Sequence, residues 1–387
     1  MHKRIMIIMV LSSLDGRRSL GGVDSACQMH LQGLTEIVDS KNRYVIVAFN
    51  PANDLEQDEC RSEIAPNIHL LWYNYARKTD RLSKLPNVVR NELLLRQLIK
   101  TFQPDIVHSH LPQWHIRKWA GEKKVLTLHQ YHNIGRTPVN LFNDLLHRDI
   151  IEPASIRNSD RVTCVSRDVI DALGRRRNGT IDYVPNAVNP RYMSLKRQAV
   201  RIRDGRINLL MAGTLCRAKG TMNAVEIVRR LKAEHPGIRL TLAGKFGSDE
   251  EFNRCLLAFI DDHVLQDNVH IAGVLNVAEM TKRMENTHIG LSLSEQETFG
   301  LAGLECLAAG IPLVTTETGV FKWQAEDFTS RGVDIVGVGD IDAATRAVSN
   351  RIQANAYEAT SGIREFLIEN FSQRSCAAKY HEMYDAV

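Results

Sequence analysis

Residues 288–316 read His288-Ile-Gly-Leu-Ser-Leu-Ser-Glu-Gln-Glu297-Thr-Phe-Gly300-Leu-Ala-Gly-Leu-Glu305-Cys-Leu-Ala-Ala-Gly310-Ile-Pro312-Leu-Val-Thr-Thr316. The apolar run His288–Leu293 predicts a buried strand, the small-residue stretch after Gly300 a helix, and Ile311–Thr316 the next strand. Strand, loop, helix and strand in that order form the repeat of an open parallel α/β sheet, and such sheets bind ligands beyond the carboxyl ends of their strands. A helix starting near Gly300 presents unpaired backbone N–H groups and a positive dipole end to an anion. Glu297 and Glu305 are too far apart to share one helical face, yet a loop position and a helix position can converge on one ligand. Equally, two glutamates in such a unit can have no ligand role at all.

Working outward, short apolar runs alternate with helical patterns along the whole chain. In the first half the expected strands are Arg4–Leu11, Tyr44–Phe49, His69–Tyr73, Asp105–His108, Val125–His129, Arg161–Val165 and Asp182–Val184. In the second half they are Asn208–Ala212, Arg239–Ala243, Val269–Ile271, His288–Leu293, Ile311–Thr316 and Val333–Val336. Their continuous apolar character suits strands covered on both faces. A chain of 387 residues at roughly 100–200 residues per domain predicts two domains. The polar stretch Arg191–Arg206 is the expected linker. Residues 1–190 then form an N-terminal Rossmann-like domain, and 207–370 a C-terminal one, the acceptor and donor sides under the resemblance given below. The helical pattern of 371–387 returns to complete the first.

Composition narrows the class. The apolar fraction is 44% and the charged fraction 24%, both ordinary for a globular protein. The basic apolar start, Met1–Leu11, has no small-residue cleavage signal and reads as a first strand. Seven scattered cysteines without a C-x-x-C suit reduced thiols in a cytoplasmic protein. The net charge of +4 comes from the first half, too diffuse for nucleic acid. Within it Arg77, Lys78, Arg81, Lys84, Arg90, Arg96 and Lys100 form a basic stretch. Arg77, Arg81 and Lys84 would share a helical face, either solvated or set against an anionic membrane surface at its inner, cytoplasmic side.

A second motif opens the C-terminal half: Asn208-Leu-Leu-Met-Ala-Gly213-Thr-Leu-Cys-Arg217-Ala-Lys219-Gly220. A strand ends at Gly213, and cations precede a helix starting near Thr221. That arrangement suits a diphosphate, with a guanidinium fork and an ammonium point charge beside a helix end. It also suits a solvated basic loop. Gly213…Arg217-x-Lys219-Gly220, Leu242-Ala-Gly244 and Glu297-x-Phe-Gly…Glu305…Gly310-x-Pro312 stand in fixed order. Gly21-Gly22, Pro104-Asp-Ile-Val-His108-Ser-His110, Thr127-Leu-His129 and Val184-Pro-Asn186 accompany them in the first half. Together they resemble the retaining nucleotide-sugar glycosyltransferases of family 4, over nearly the whole chain.

The resemblance implies the GT-B fold, two doubly wound domains with an interdomain cleft, and transfer of a sugar from a nucleotide diphosphate sugar to an acceptor hydroxyl. The acceptor would be a glycan or a lipid-linked sugar, in glycan, lipopolysaccharide or glycolipid assembly. Glu305 would hold the ribose and Glu297 the hydroxyls of the donor sugar. Backbone amides of Thr298, Phe299, Gly300 and Leu301 would support sugar and phosphates. Arg217 and Lys219 would neutralise the diphosphate without a metal ion or any cofactor. His129 would face the donor sugar, Gly21, Gly22, Gly213 and Gly244 would let backbone approach the ligand, and Val274 would lie by the base. His110 would line the cleft on the acceptor side, or play a purely structural role. Two positions depart from the family: Thr214 follows Gly213 where Arg is frequent, and Ala187 follows Asn186 where Gly is usual.

Other classes make different demands. A nicotinamide dehydrogenase needs G-x-G-x-x-G after the first strand, and Ser12-Ser-Leu-Asp-Gly-Arg-Arg stands there instead. A metal-dependent hydrolase would use His108-x-His110 and His129-x-x-His132, with no acidic ligand evident beside them. A sugar-nucleotide epimerase of the same fold, or a non-catalytic sugar-nucleotide binder, shares most of the pattern.

Overall fold

The computed structural model describes residues 3–14, 18, 21–37, 42–77, 85–112, 122–130, 147–174, 179–195, 197, 202, 205–359 and 361–387. The chain divides into two compact units, Met1–Ala187 with Gln373–Val387, and Val188–Ser372.

The first unit carries an eight-stranded sheet. Its strands are β1 (Arg4–Val10), β2 (Arg43–Asn50), β3 (Glu59–Ala65), β4 (Ile68–Asn74), β5 (Ile106–Ser109), β6 (Lys123–Leu128), β7 (Arg161–Cys164) and β8 (Ile181–Tyr183). They lie in the order β3-β4-β2-β1-β5-β6-β7-β8, all parallel except for the β3–β4 pair. The buried runs of β1, β2 and β6 account for the apolar stretches: Ile5 to Met9 are at most 1% exposed. β3 was absent from the expected strands. Its sequence, ECRSEIA, is exposed over most of its length, as an edge strand beside water is, so it carries no apolar signal.

The second unit carries six parallel strands: β9 (Ile207–Ala212), β10 (Ile238–Ala243), β11 (Val269–Gly273), β12 (Ile289–Ser292), β13 (Leu313–Thr316) and β14 (Asp334–Val336). Their order is β11-β10-β9-β12-β13-β14. Chain order runs outward from β9 in one direction and then from β12 in the other. The β9/β12 junction is therefore the topological switch point, where the loops after two adjacent strands diverge and leave a crevice. In the first sheet the same reversal falls between β1 and β5.

The structure shifts the expected linker. Asn189 caps a short helix, Pro190–Met193, by accepting from the Arg191 amide at 3.0 Å. Tyr192 and Leu195 are buried with Leu210, Phe299 and Leu304 in the core of the second unit. Residues 191–195 are thus part of that unit, because two large apolar side chains outweigh the charged positions around them. The helix Gln373–Asp385 belongs to the first unit, where it lies against the helix Gly22–Ile37. A Cβ at Gly33 would sit 2.2 Å from the Gln373 carbonyl oxygen, so only glycine permits that approach.

A comparable constraint fixes the loop after β9. Gly220 has φ 71°, and a Cβ there would stand 2.0 Å from the carbonyl oxygen of Leu293. Gly220→Ala is expected to destabilise the second unit by about 3 kcal/mol through strain and steric conflict. At roughly 2–4 °C per kcal/mol that lowers its melting temperature by about 6–12 °C. An unchanged calorimetric transition would show that the two segments do not approach this closely.

Among the described residues no helix is long and apolar enough to cross a membrane. Of the basic stretch, Arg77 follows β4 in a loop, not a helix. It is tied to the Asn91 side chain at 2.8 Å, while Arg90 is 5% exposed and donates to the Arg77 carbonyl. These two cations serve the local fold and are not available to form a shared basic face. Arg81 and Lys84 lie outside the described residues.

Candidate active site

The second unit gathers the expected residues at the carboxyl edge of its sheet. β9 ends at Gly213, β10 at Gly244, β11 at Gly273 beside Val274, and β12 runs into the acidic loop. Gly213 has φ 134°, and nothing lies within 4 Å of where its Cβ would be. The backbone there is open to an approaching group. Gly244 is constrained differently, since a Cβ would meet the Gly213 carbonyl oxygen at 1.8 Å. Its amide donates to the Gly273 carbonyl at 2.8 Å, tying three strand ends together. Val274 is 63% exposed on the outer side of that row.

At the switch point the two motifs meet. The Glu295 amide donates to the Ala218 carbonyl at 2.9 Å. Beside it Lys219 Nζ lies 2.5 Å from Glu297 Oε2, and Ser294 Oγ donates to the same oxygen at 3.3 Å. Both charged side chains are partly buried, at 30% and 20% exposure, so their attraction is less screened than that of a surface pair. The residues expected to hold diphosphate and sugar are therefore in direct contact. Arg217 is exposed, and its guanidinium lies over the Phe252 ring, 5.7 Å from the centroid.

Gly300, at φ 102°, caps the helix Leu301–Ala308. Phe299 is buried with its ring edge-on to Phe371, and its carbonyl accepts from the Val320 amide at 2.9 Å. Phe299 can therefore serve a ligand only through its backbone N–H. Thr298 is also buried. Glu305 is partly buried in the helix, and burial pushes its carboxyl up to about 7. Burial raises the Tyr192 hydroxyl, and the charge of Glu305 beside it adds to that. A buried carboxyl with a raised pKa makes Glu305 a candidate functional position.

In the first unit Gly21, at φ 145°, has open space where a Cβ would point, as has Gly22. Helix Gly22–Ile37 follows. Asp24, in its first turn, accepts from the Ser12 amide at 2.9 Å and from the Ser12 hydroxyl, pinning the turn after β1. That carboxylate was missed by sequence reading, though an acid two residues after Gly-Gly is a capping signal.

His110 is 2% exposed. Its Nε2 lies 2.9 Å from His30 Nδ1 and its Nδ1 lies 3.0 Å from His129 Nε2. His129 is half-buried at the end of β6. His108 sits 2.6 Å from the Tyr384 hydroxyl and 2.7 Å from Thr127 Oγ1. Both nitrogens of His108 are engaged in this way, and two groups of described residues, Cys27 with His110 and His129 and His30 with His108 and His110, bring ligand atoms close enough to hold a metal ion. His132 lies outside the described residues. His30 was not singled out from sequence, because a histidine within an apolar helical face carries no motif.

Comparison with known proteins agrees with this architecture. Residues 22–192 match Glycosyltransferase Family 4, and residues 193–361 match Glycosyl transferases group 1. The glycogen synthase of Mycobacterium tuberculosis is 26% identical over 77% of this chain and 73% of its own length. The D-inositol 3-phosphate glycosyltransferase of Pseudarthrobacter chlorophenolicus is 30% identical over 36% of this chain and 34% of its own. Among solved structures, sucrose-phosphate synthase from Thermosynechococcus elongatus superposes with a TM-score of 0.74 at 16% identity, covering 100% of this chain and 99% of that one. Anabaena HepE in complex with UDP-glucose gives 0.70 at 13% identity, with 100% of both chains covered. With consecutive matches to both halves, a parallel sheet in each unit and the two motifs meeting at the second switch point, the chain belongs to the GT-B glycosyltransferases of the family 4 type.

Proposed function

We propose that the chain is a retaining, metal-independent hexosyltransferase that moves a sugar from a nucleotide diphosphate sugar to a hydroxyl of a glycan or lipid-linked acceptor. The observation that carries this reading is the Lys219–Glu297 contact at the β9/β12 switch point, with Glu305 on the helix that follows. One cation and one carboxylate before a helix N-terminus, with a second carboxylate inside that helix, suit a ligand that is anionic at its centre and hydroxylated at both ends. Curated relatives named as glycosyltransferases, and a neighbour of the same fold in complex with UDP-glucose, point the same way.

In this mechanism the bond from the anomeric carbon to the phosphate oxygen breaks, and its electron pair goes to the diphosphate. Lys219, Arg217 and the amides after Gly300 stabilise that developing charge. The acceptor oxygen bonds to the anomeric carbon on the face the phosphate leaves, and its proton passes to the departing phosphate oxygen. No carboxylate nucleophile is required, unlike in the two-carboxylate glycosidases. Glu297 then orients the sugar, Glu305 the ribose, and His129 meets the donor sugar from the first unit.

A thermal-shift screen of UDP, GDP, ADP and their sugars identifies the donor, since a ligand bound only by the folded state raises its melting temperature. With that donor, proton NMR of the product is expected to show the donor's anomeric configuration, at a rate unchanged by EDTA. An epimerised sugar without transfer, or an inverted anomeric centre, would overturn the proposal.

A further inference from the structure

Cys27 and His30 stand three residues apart on the helix Gly22–Ile37 and so share one of its faces. His110 and His129 follow β5 and β6, which are neighbouring parallel strands. Helix face and strand ends draw these side chains into one cluster. One ligand atom each from Cys27, His110 and His129 lies within 4.8 Å of the others, and His110 Nδ1 is 3.0 Å from His129 Nε2. His110 Nε2 has an outer contact, His30 Nδ1 at 2.9 Å. His30 is in turn stacked on Tyr380, with ring centroids 4.1 Å apart.

We propose that Cys27, His110 and His129 bind a zinc ion, and that zinc in this site holds the enzyme inactive. Tetrahedral zinc has bonds of about 2.3 Å to thiolate and about 2.0–2.1 Å to imidazole, which sets its ligand atoms roughly 3.3–3.6 Å apart. Side-chain adjustments of about an ångström bring the three ligand atoms to that spacing. A ligating imidazole is usually oriented by a hydrogen bond on its other nitrogen, and His30 supplies that contact to His110. The cluster's own hydrogen bonds leave it incomplete. His30 Nε2 and His129 Nδ1 are buried with no partner among the described residues, and such orphans in a native interior mark a place for a water, an ion or another ligand.

The donor set selects the ion. Magnesium and calcium take oxygen ligands, whereas a thiolate with two imidazoles suits zinc. Among the described residues no carboxylate joins either group of candidate ligands. Burial lowers all three imidazole pKa values, so the rings stand neutral near pH 7, the form that binds metals. Binding forms one Zn–S and two Zn–N bonds. Each ligating imidazole keeps its single proton on the nitrogen turned away from the ion, and the Cys27 thiol proton leaves to water. His129 is the half-buried member and gives the ion its way in. An imidazole fixed on zinc is withdrawn from the donor sugar, so transfer stops. That consequence rests on the reading that His129 meets the donor sugar, and the coordination does not.

Cobalt(II) titration of the full chain tests the site, after stripping with EDTA and with Cys60→Ser and Cys255→Ser removing the two exposed thiols. One equivalent is expected to bind with the near-ultraviolet band of a thiolate–cobalt bond, displaced by zinc and untouched by magnesium. Cys27→Ser in that background should lose the band and weaken zinc binding about tenfold or more. X-ray absorption of the zinc-loaded parent is expected to show one sulfur and two imidazole ligands, and decides the matter where Cys27→Ser does not fold. No stoichiometric uptake, zinc bound without sulfur, or a band that survives Cys27→Ser overturns the proposal. With the donor picked out by thermal shift, transfer by the metal-free enzyme should fall to background as zinc fills the site and return with EDTA. Cys27→Ser should keep its rate at the same zinc concentration. A site filled with zinc at full activity overturns the inhibition and removes His129 from the donor contact, while the coordination is judged by the spectra.

Discussion

Lys219→Met is expected to lower kcat for sugar transfer by a hundred- to a thousandfold, the loss found when one preorganised donor to a developing negative charge is removed. The contact with Glu297 gives this expectation a specific shape. In the wild type Lys219 balances a carboxylate 2.5 Å away as well as any diphosphate that enters. Its removal does more than delete a cation. It leaves Glu297, 20% exposed in the crevice, as an unpaired negative charge facing an anionic ligand, and like charges in a partly dry site repel strongly.

The double variant Lys219→Met/Glu297→Gln should therefore bind the nucleotide sugar better than Lys219→Met alone, although it lacks both charged groups. Two contacting residues couple non-additively, by about 0.5–3 kcal/mol in such cycles. Calorimetric titration with the donor picked out by the thermal-shift screen measures the cycle. Additive losses would mean that Lys219 and Glu297 act on the ligand independently and that their contact has no part in binding. A kcat within threefold of wild type in Lys219→Met would remove Lys219 from the mechanism.

Why this pair was legible residue by residue, but not as a pair, follows from how sheets store information. Periodicity and apolar runs located all the strands except β3, because strands buried on both faces must be apolar throughout. β3 is polar and exposed, and its only physical mark is the pairing with β4. The helix Pro190–Met193 was hidden for a related reason: Tyr192 and Leu195 make it part of a core, while Arg191, Lys196 and Arg197 around them give the stretch a linker's composition. The candidate site residues were legible where they sit in glycine-bearing loops after strands, as Lys219 and Glu297 do. That Lys219 touches Glu297 depends on β9 and β12 being neighbours, which is a fact of strand order and leaves no trace in spacing. The same holds for the contact of His30 with His110, which depends on where their elements meet in the fold and leaves no trace in spacing.

Glu305→Gln is expected to make the protein more stable and less able to bind nucleotide, with the first effect depending on pH. Burial raises the Glu305 carboxyl from an ordinary 4.5 to about 7 in the folded state. Between those values the native chain holds a proton that the unfolded chain has released, so stability falls as pH rises from about 4.5 and levels off above about 7. At pH 8 the carboxylate is ionised in both states, and the folded protein bears the cost of burying it. A shift of this size corresponds to about 3 kcal/mol, reduced to roughly 2 kcal/mol because the side chain is only partly buried. Glutamine carries no charge and is spared that cost. Scanning calorimetry should then show a gain of about 4–8 °C for Glu305→Gln at pH 8 that shrinks toward zero near pH 5.

Binding moves the other way. A carboxylate that accepts from ribose hydroxyls is worth about 1.5–3 kcal/mol more than no bond, so affinity for the nucleotide should fall roughly ten- to a hundredfold. Holding a costly carboxylate at this position, against stability, fits the proposed role, in which a ligand's hydroxyls offset the cost. Unchanged affinity together with the stability gain would make Glu305 a buried acid without a ligand. Unchanged stability at pH 8 would mean that the carboxylate is already solvated in the crevice.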